Sequence, residues 1–127
     1  MKGLLLVAHG SRKEESNLEI GAVTQRVKYA VVEEYSQVAF AFLELAQPDI
    51  ATAADELVGL GCSEITVVPY FLAAGSHVVR DIPARIDEVA LSHPTVQWSV
   101  SPHIGASPLM AAVVAGSAAA SSTTESG

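Results

Sequence analysis

An α/β domain on a mostly parallel sheet is the fold class that three features of this 127-residue chain predict. Short β-branched or aliphatic runs alternate with helical patterns in the order β-α-β-α-β-α-β-α, which marks a parallel sheet with helices on both faces. Half of the residues are hydrophobic and 17% are charged, a surplus that suits a sheet buried on both sides and leaves apolar surface for a subunit contact. The length fits a single core. Residues 1–120 are expected to form one domain, and the small, polar residues 121–127 a disordered tail.

Strands are expected at Gly3 to Ala8, Gln37 to Leu43, Glu64 to Phe71 and Val96 to Val100. Ser11-x-x-Glu14 reads as a capping box, and Leu18, Ala22, Val23, Val27, Ala30 and Val31 follow it at helical spacing. Pro48 and Asp49 open a second helix. Its apolar face is Ile50, Ala53, Ala54, Leu57 and Val58, and Gly61 suits its C-terminal cap. Proline is tolerated in a first turn but not in a helix interior, so Pro83 places the third helix from about Ile82 to Leu91. Ala73 to Asp81 then form a partly irregular connection. Ser107-Pro108 opens a last helix ending near Ala120.

Composition removes several classes of function. The formal net charge is -7 with no basic run, which speaks against nucleic-acid binding. The longest apolar runs, Leu4 to Ala8 and Val38 to Leu43, fall far short of the roughly 18 residues of a membrane span. The N-terminal run enters His9-Gly10-Ser11-Arg12 without a small-residue cleavage site and reads as a strand, not a signal peptide. A lone Cys62 excludes an intrachain disulfide and a cysteine-only metal centre; it reads as a small buried residue. A cytoplasmic protein is expected.

Open parallel sheets bind ligands beyond the carboxyl ends of their strands, where strand order reverses. His9 directly follows the first strand, Glu44 the second, and His77 lies in the connection after the third. With strand order 2-1-3-4, the reversal falls between strands one and three, so His9 and His77 would face each other with Glu44 beside His9. Two imidazoles and a carboxylate suit a divalent first-row metal with open coordination positions. Each residue alone is as readily a structural or surface group. His93, before Pro94, reads as surface, whereas His103 follows the fourth strand and could reach the same edge.

The strings Leu6-Val7-Ala8-His9-Gly10-Ser11-Arg12, Phe42-Leu43-Glu44-Leu45-Ala46-Gln47-Pro48 and Pro69-Tyr70-Phe71-Leu72-Ala73-Ala74-Gly75-Ser76-His77, together with Asp81-Ile82-Pro83, resemble the small single-domain sirohydrochlorin chelatases. The likeness runs from Leu4 to about Met110. It implies a flavodoxin-like, three-layer chelatase fold and insertion of divalent cobalt, iron or nickel into sirohydrochlorin, in cobalamin or siroheme synthesis. It also implies that His9 and His77 hold the metal and that Glu44 assists with metal or protons. No organic cofactor is expected, since the metal is a substrate. Pro102-His103-Ile104-Gly105 follows the family's apolar-Gly pattern only loosely.

The implied substrate carries many carboxylates while the chain is acidic, so local cations must compensate. Arg12 and Arg80 each stand three residues after a candidate ligand and can pair bidentately with carboxylate. Ser76 is grouped with them as a substrate-binding residue, and Tyr70 and Phe71 offer a face for the flat ring. Phe71 has ordinary core packing as its alternative, and the arginines could be solvated helix-end charges. Larger chelatases of this fold have two similar halves around a cleft, so a homodimer is expected here. Two rivals remain. A histidine phosphatase needs an arginine just before its histidine, where Ala8 stands. A non-catalytic metal or tetrapyrrole carrier could use the same His/His/Glu pocket and differs from a chelatase only in turnover.

Overall fold

The computed structural model describes residues 1–123, apart from the side chains of residues 76–79. Strands β1 (Lys2–Ala8), β2 (Gln37–Phe42), β3 (Glu64–Pro69) and β4 (Gln97–Val100) alternate with helices α1 (Glu14–Ala30), α2 (Ile50–Gly59), α3 (Ser76–Ser92) and α4 (Met110–Ala119). A short 3-10 turn, Ile104–Ala106, precedes α4. The sheet has the order β2-β1-β3-β4 and every pairing is parallel, as the alternation of patterns predicts. Residues 124–127, part of the expected tail, lie outside the described residues. Among the described residues no helix is long and apolar enough to cross a membrane.

The central strand explains the apolar surplus. Gly3 through Ala8 are all buried, because β1 has strands on both sides and helices on both faces. Leu5 and Val7 join Ile65 and Val67 of β3 against Ile50, Ala54 and Leu57 of α2 and Ile82, Ile86 and Val89 of α3. Each such side chain contributes about 1.5–3 kcal/mol through burial. Cys62 belongs to this core, where burial pushes its thiol pKa up. A Cβ at Gly3 would come within 2.8 Å of the Cys62 sulfur.

Three local expectations fail for identifiable reasons. No capping box forms at Ser11: α1 starts at Glu14, and the Ser11 hydroxyl accepts from the Lys13 amide at 3.0 Å. The packed face of α1 is also rotated. Thr24 is buried and Asn17, Ile20, Val23 and Val27 are half-buried, whereas Leu18, Ala22 and Ala30 face solvent. Gly21 lies on this packed face, next to the Phe40 ring. Finally, α3 begins at Ser76 and carries Pro83 inside it. Proline removes one i→i−4 bond, but Pro83 itself is exposed, as are Arg80 and Asp81, so its ring stands on the solvent side of the helix. Buried Ile82 and Ile86 hold the helix in place around it.

His93, expected at the surface, is half-buried and paired. Its Nε2 lies 2.6 Å from Asp55 Oδ1 and its ring stands beside Trp98, with only 21% of its side chain exposed. It ties the end of α3 to α2. The last helix, α4, differs from the others. It is apolar on all sides, none of its residues is buried, and its main contact is the 3-10 turn.

Candidate metal and substrate site

The pairing of β1 with β2 continues past both strands. The Leu43 amide donates to the Ala8 carbonyl at 2.8 Å and the Glu44 amide to the His9 carbonyl at 3.0 Å. This places the first residue after β1 beside the second after β2, and their side chains meet: His9 Nε2 lies 3.0 Å from Glu44 Oε1. Gly10 makes the approach possible. Its φ is +99°, and a Cβ there would overlap the Glu44 carbonyl oxygen.

The loop carrying Glu44 is held from its far end. The Phe42 amide donates to the Pro48 carbonyl at 2.8 Å, closing a short loop in which Leu45 adopts φ +67°. That backbone region costs a residue with a Cβ about 1–2 kcal/mol. Asp49 then caps α2 by accepting from the Thr52 amide at 2.9 Å. Hydrogen bonds from the Thr52 side chain and amide, assisted by the charge of Arg85, hold the Asp49 carboxyl below its ordinary pKa.

On the other side of His9, Asn17 latches the loop to α1. Its Nδ2 donates to the Ser11 carbonyl at 2.8 Å and its Oδ1 accepts from the Ser11 amide at 3.0 Å. Asn17 was not among the expected site residues. Its signal in the sequence is faint, an amide side chain inside what reads as an ordinary helical stretch.

Both members of the His9–Glu44 pair are about half exposed, at 47% and 58%. An ion pair at such exposure contributes only about 0–1 kcal/mol to stability, so structural glue explains it poorly. The His9 ring faces two acceptors, since Nδ1 lies 3.1 Å from the Gly10 carbonyl oxygen. Both contacts are hydrogen bonds only when both nitrogens carry protons. A neutral ring that keeps its bond to Gly10 turns a lone pair on Nε2 toward the Glu44 carboxylate, the arrangement a cation entering between them would meet.

Beside His9 lies a cavity of about 310 Å³, walled by Asn17, Ile20, Phe42, Tyr70 and Phe71. The Tyr70 amide donates to the Val7 carbonyl at 2.8 Å, which sets this pair at the β1–β3 reversal. Phe71 also packs against the core, the alternative expected for it. Arg12 and Arg80 are exposed and neither lines this cavity. Ser76 and His77 occupy the first turn of α3 rather than an irregular loop, at the same sheet edge as His9; their side chains lie outside the described residues. Among the described residues no three His, Cys, Asp or Glu side chains converge.

Two other cavities are larger. One of about 640 Å³ lies beyond β3 and β4 and includes His103. Another of about 540 Å³, lined by Lys2, Glu64 and Gln97, sits at the amino ends of the strands, away from the edge where parallel sheets place ligands.

A family model described as CbiX matches residues 3–121. The chain belongs to the CbiX family. It is 41% identical over 90 residues to a sirohydrochlorin cobaltochelatase of Sulfurisphaera tokodaii, covering 70% of this chain and 71% of that protein. It is 34% identical over 104 residues to the sirohydrochlorin ferrochelatase of Bacillus subtilis, covering 82% of this chain but 39% of that longer protein. The fold superposes on the sirohydrochlorin chelatase SirB of Bacillus subtilis subspecies spizizenii, solved with cobalt, at TM-score 0.81 and 30% identity. The match covers 91% of this chain and 48% of SirB. The CbiX chain therefore corresponds to about half of the SirB polypeptide.

Proposed function

We propose that this CbiX chain is a sirohydrochlorin chelatase that inserts a divalent metal, cobalt or iron, into the tetrapyrrole. The observation that carries the reading is the half-exposed His9–Glu44 pair, 3.0 Å apart at the strand-order reversal, in a chain whose relatives include a cobaltochelatase and a ferrochelatase.

In this reading His9 and His77 hold the incoming ion through neutral imidazoles, which requires their deprotonation. The macrocycle loses two pyrrolic protons as the metal enters. Glu44, 3.0 Å from His9 Nε2, accepts one of them, and the other passes to a histidine or to solvent. Tyr70 and Phe71 offer the ring a flat wall, while Arg12, Arg80 and Ser76 meet its peripheral carboxylates. Nickel is a third metal compatible with imidazole ligands. No organic cofactor takes part. The active form is a cytoplasmic homodimer, whose second copy supplies the other wall of the cleft.

The test is anaerobic incubation of the protein with sirohydrochlorin and each metal in turn, followed by absorbance. Catalytic formation of metallated product, falling by at least about 100-fold in His9→Ala and His77→Ala, is the expected result. Product that stops at one equivalent per chain makes the protein a carrier, and histidine variants with unchanged rates remove the proposed ligands.

A further inference from the structure

The cavity beyond β3 and β4 combines hydrocarbon walls with two uncommitted polar groups. Val68, Leu72, Ile104, Met110 and Val113 are among the apolar residues that line it. Ser101 and Ser107 also face it, but their hydroxyls are engaged locally: one donates to the Pro102 carbonyl at 2.9 Å, the other accepts from the Leu109 amide at 3.1 Å. The Tyr70 hydroxyl and the His103 imidazole have no hydrogen-bond partner among the described residues, and both side chains are half-buried. Both polar ends remain within reach of water, so a ligand acceptor entering the cavity would take the place of solvent at each.

The backbone holds these two groups in fixed relation. The Gly105 amide donates to the Phe71 carbonyl at 3.0 Å, and a Cβ at Gly105 would overlap the Leu72 carbonyl oxygen. The 3-10 turn is thereby clamped onto the end of β3, with His103 just before it and Tyr70 just before the clamp point. Tyr70 lines both this cavity and the one beside His9, so the two adjoin through a single ring. A lone imidazole and a phenol do not make a cation site. An extended flat molecule with an anionic rim matches the combination: its hydrocarbon face meets the walls, and its carboxylate meets the donors.

We infer that this cavity seats one edge of the tetrapyrrole, with His103 and Tyr70 donating hydrogen bonds to a peripheral carboxylate, and that His103 is a specificity-determining residue for acidic side chains. The inference rests on the chelatase reading. It accounts for how a chain of net charge -7 retains a polyanionic substrate, since a donor pair in a partly desolvated pocket acts locally where the global field is repulsive.

The test measures KM for sirohydrochlorin and for metal, together with metal-free binding of the tetrapyrrole by fluorescence. His103→Ala and Tyr70→Phe should each raise the tetrapyrrole KM and dissociation constant about ten-fold or more, the effect of losing a hydrogen bond to a charged group, with the metal KM unchanged. His103→Gln, which retains a donor, should recover part of the loss. A methyl-esterified tetrapyrrole should bind the wild type and His103→Ala alike. Tyr70→Phe deletes one hydroxyl and keeps the ring, so it reports even if the His103 variants fold poorly. Wild-type turnover with unchanged tetrapyrrole binding in His103→Ala and Tyr70→Phe overturns the inference alone. A wild type that inserts no metal overturns the chelatase reading first.

Discussion

Replacing Gly10 with alanine should separate His9 from Glu44 while leaving both side chains chemically unchanged. The new Cβ would overlap the Glu44 carbonyl oxygen and press within 3.3 Å of the Phe42 Cβ, so the two strand extensions must part. An alanine at φ +99° adds about 1–2 kcal/mol of backbone strain. The bonds at risk are Leu43 to Ala8 and Glu44 to His9, each contributing about 0.5–1.5 kcal/mol. The expected destabilisation is about 2–5 kcal/mol, read as a lower urea midpoint at unchanged m-value. Parting the pair also moves the proposed proton acceptor by an amount comparable to an ångström, which can cost about 100-fold in rate. The comparison variant is Glu44→Gln, which keeps the shape and removes the charge; its stability should stay within about 1 kcal/mol of wild type because the pair is exposed, while metal insertion falls. A Gly10→Ala protein with wild-type urea midpoint and wild-type kcat/KM would refute the claim that this close approach builds the site.

Two further variants address the supports of the site. Asn17→Ala should cost about 1–2 kcal/mol and raise the metal KM, because the latch on Ser11 no longer fixes the loop carrying His9; thermal unfolding and steady-state kinetics read the two effects. Asp49→Ala should cost about 1 kcal/mol at neutral pH through the lost cap. The Asp49 carboxyl is held below its ordinary pKa of 3.8. Its contribution is therefore fully present above that value and fades as the pH falls through the depressed one. Unfolding curves of wild type and variant should converge in acid.

Much of the architecture is legible in the sequence because the parallel sheet leaves a strong trace: four short β-branched runs, each followed by a helical pattern. The adjacency of His9 and Glu44 follows from the same logic, since each is the polar residue that ends a buried strand. What stays hidden depends on contacts that pattern alone does not encode. Ser11 matches a helix cap in sequence, but its backbone is claimed by Asn17. Pro83 argues against an interior position, yet Ile82 and Ile86 pack well enough to hold α3 around it. Leu18 and Ala22 look like core, yet α1 packs through Thr24 and its half-buried neighbours instead. His93 finds Asp55, a residue distant in sequence. The cavity that includes His103 gathers residues from β3, β4, the 3-10 turn and α4, and no single segment announces it.

The placement of His9 at the end of the most buried strand has a mechanical consequence. Hydrogen-bonded to neighbours on both flanks, β1 is the part of the molecule least able to yield. His9 therefore presents its ring from a stationary base, and the Glu44 segment, tied to the same strand extension, shares that fixed frame.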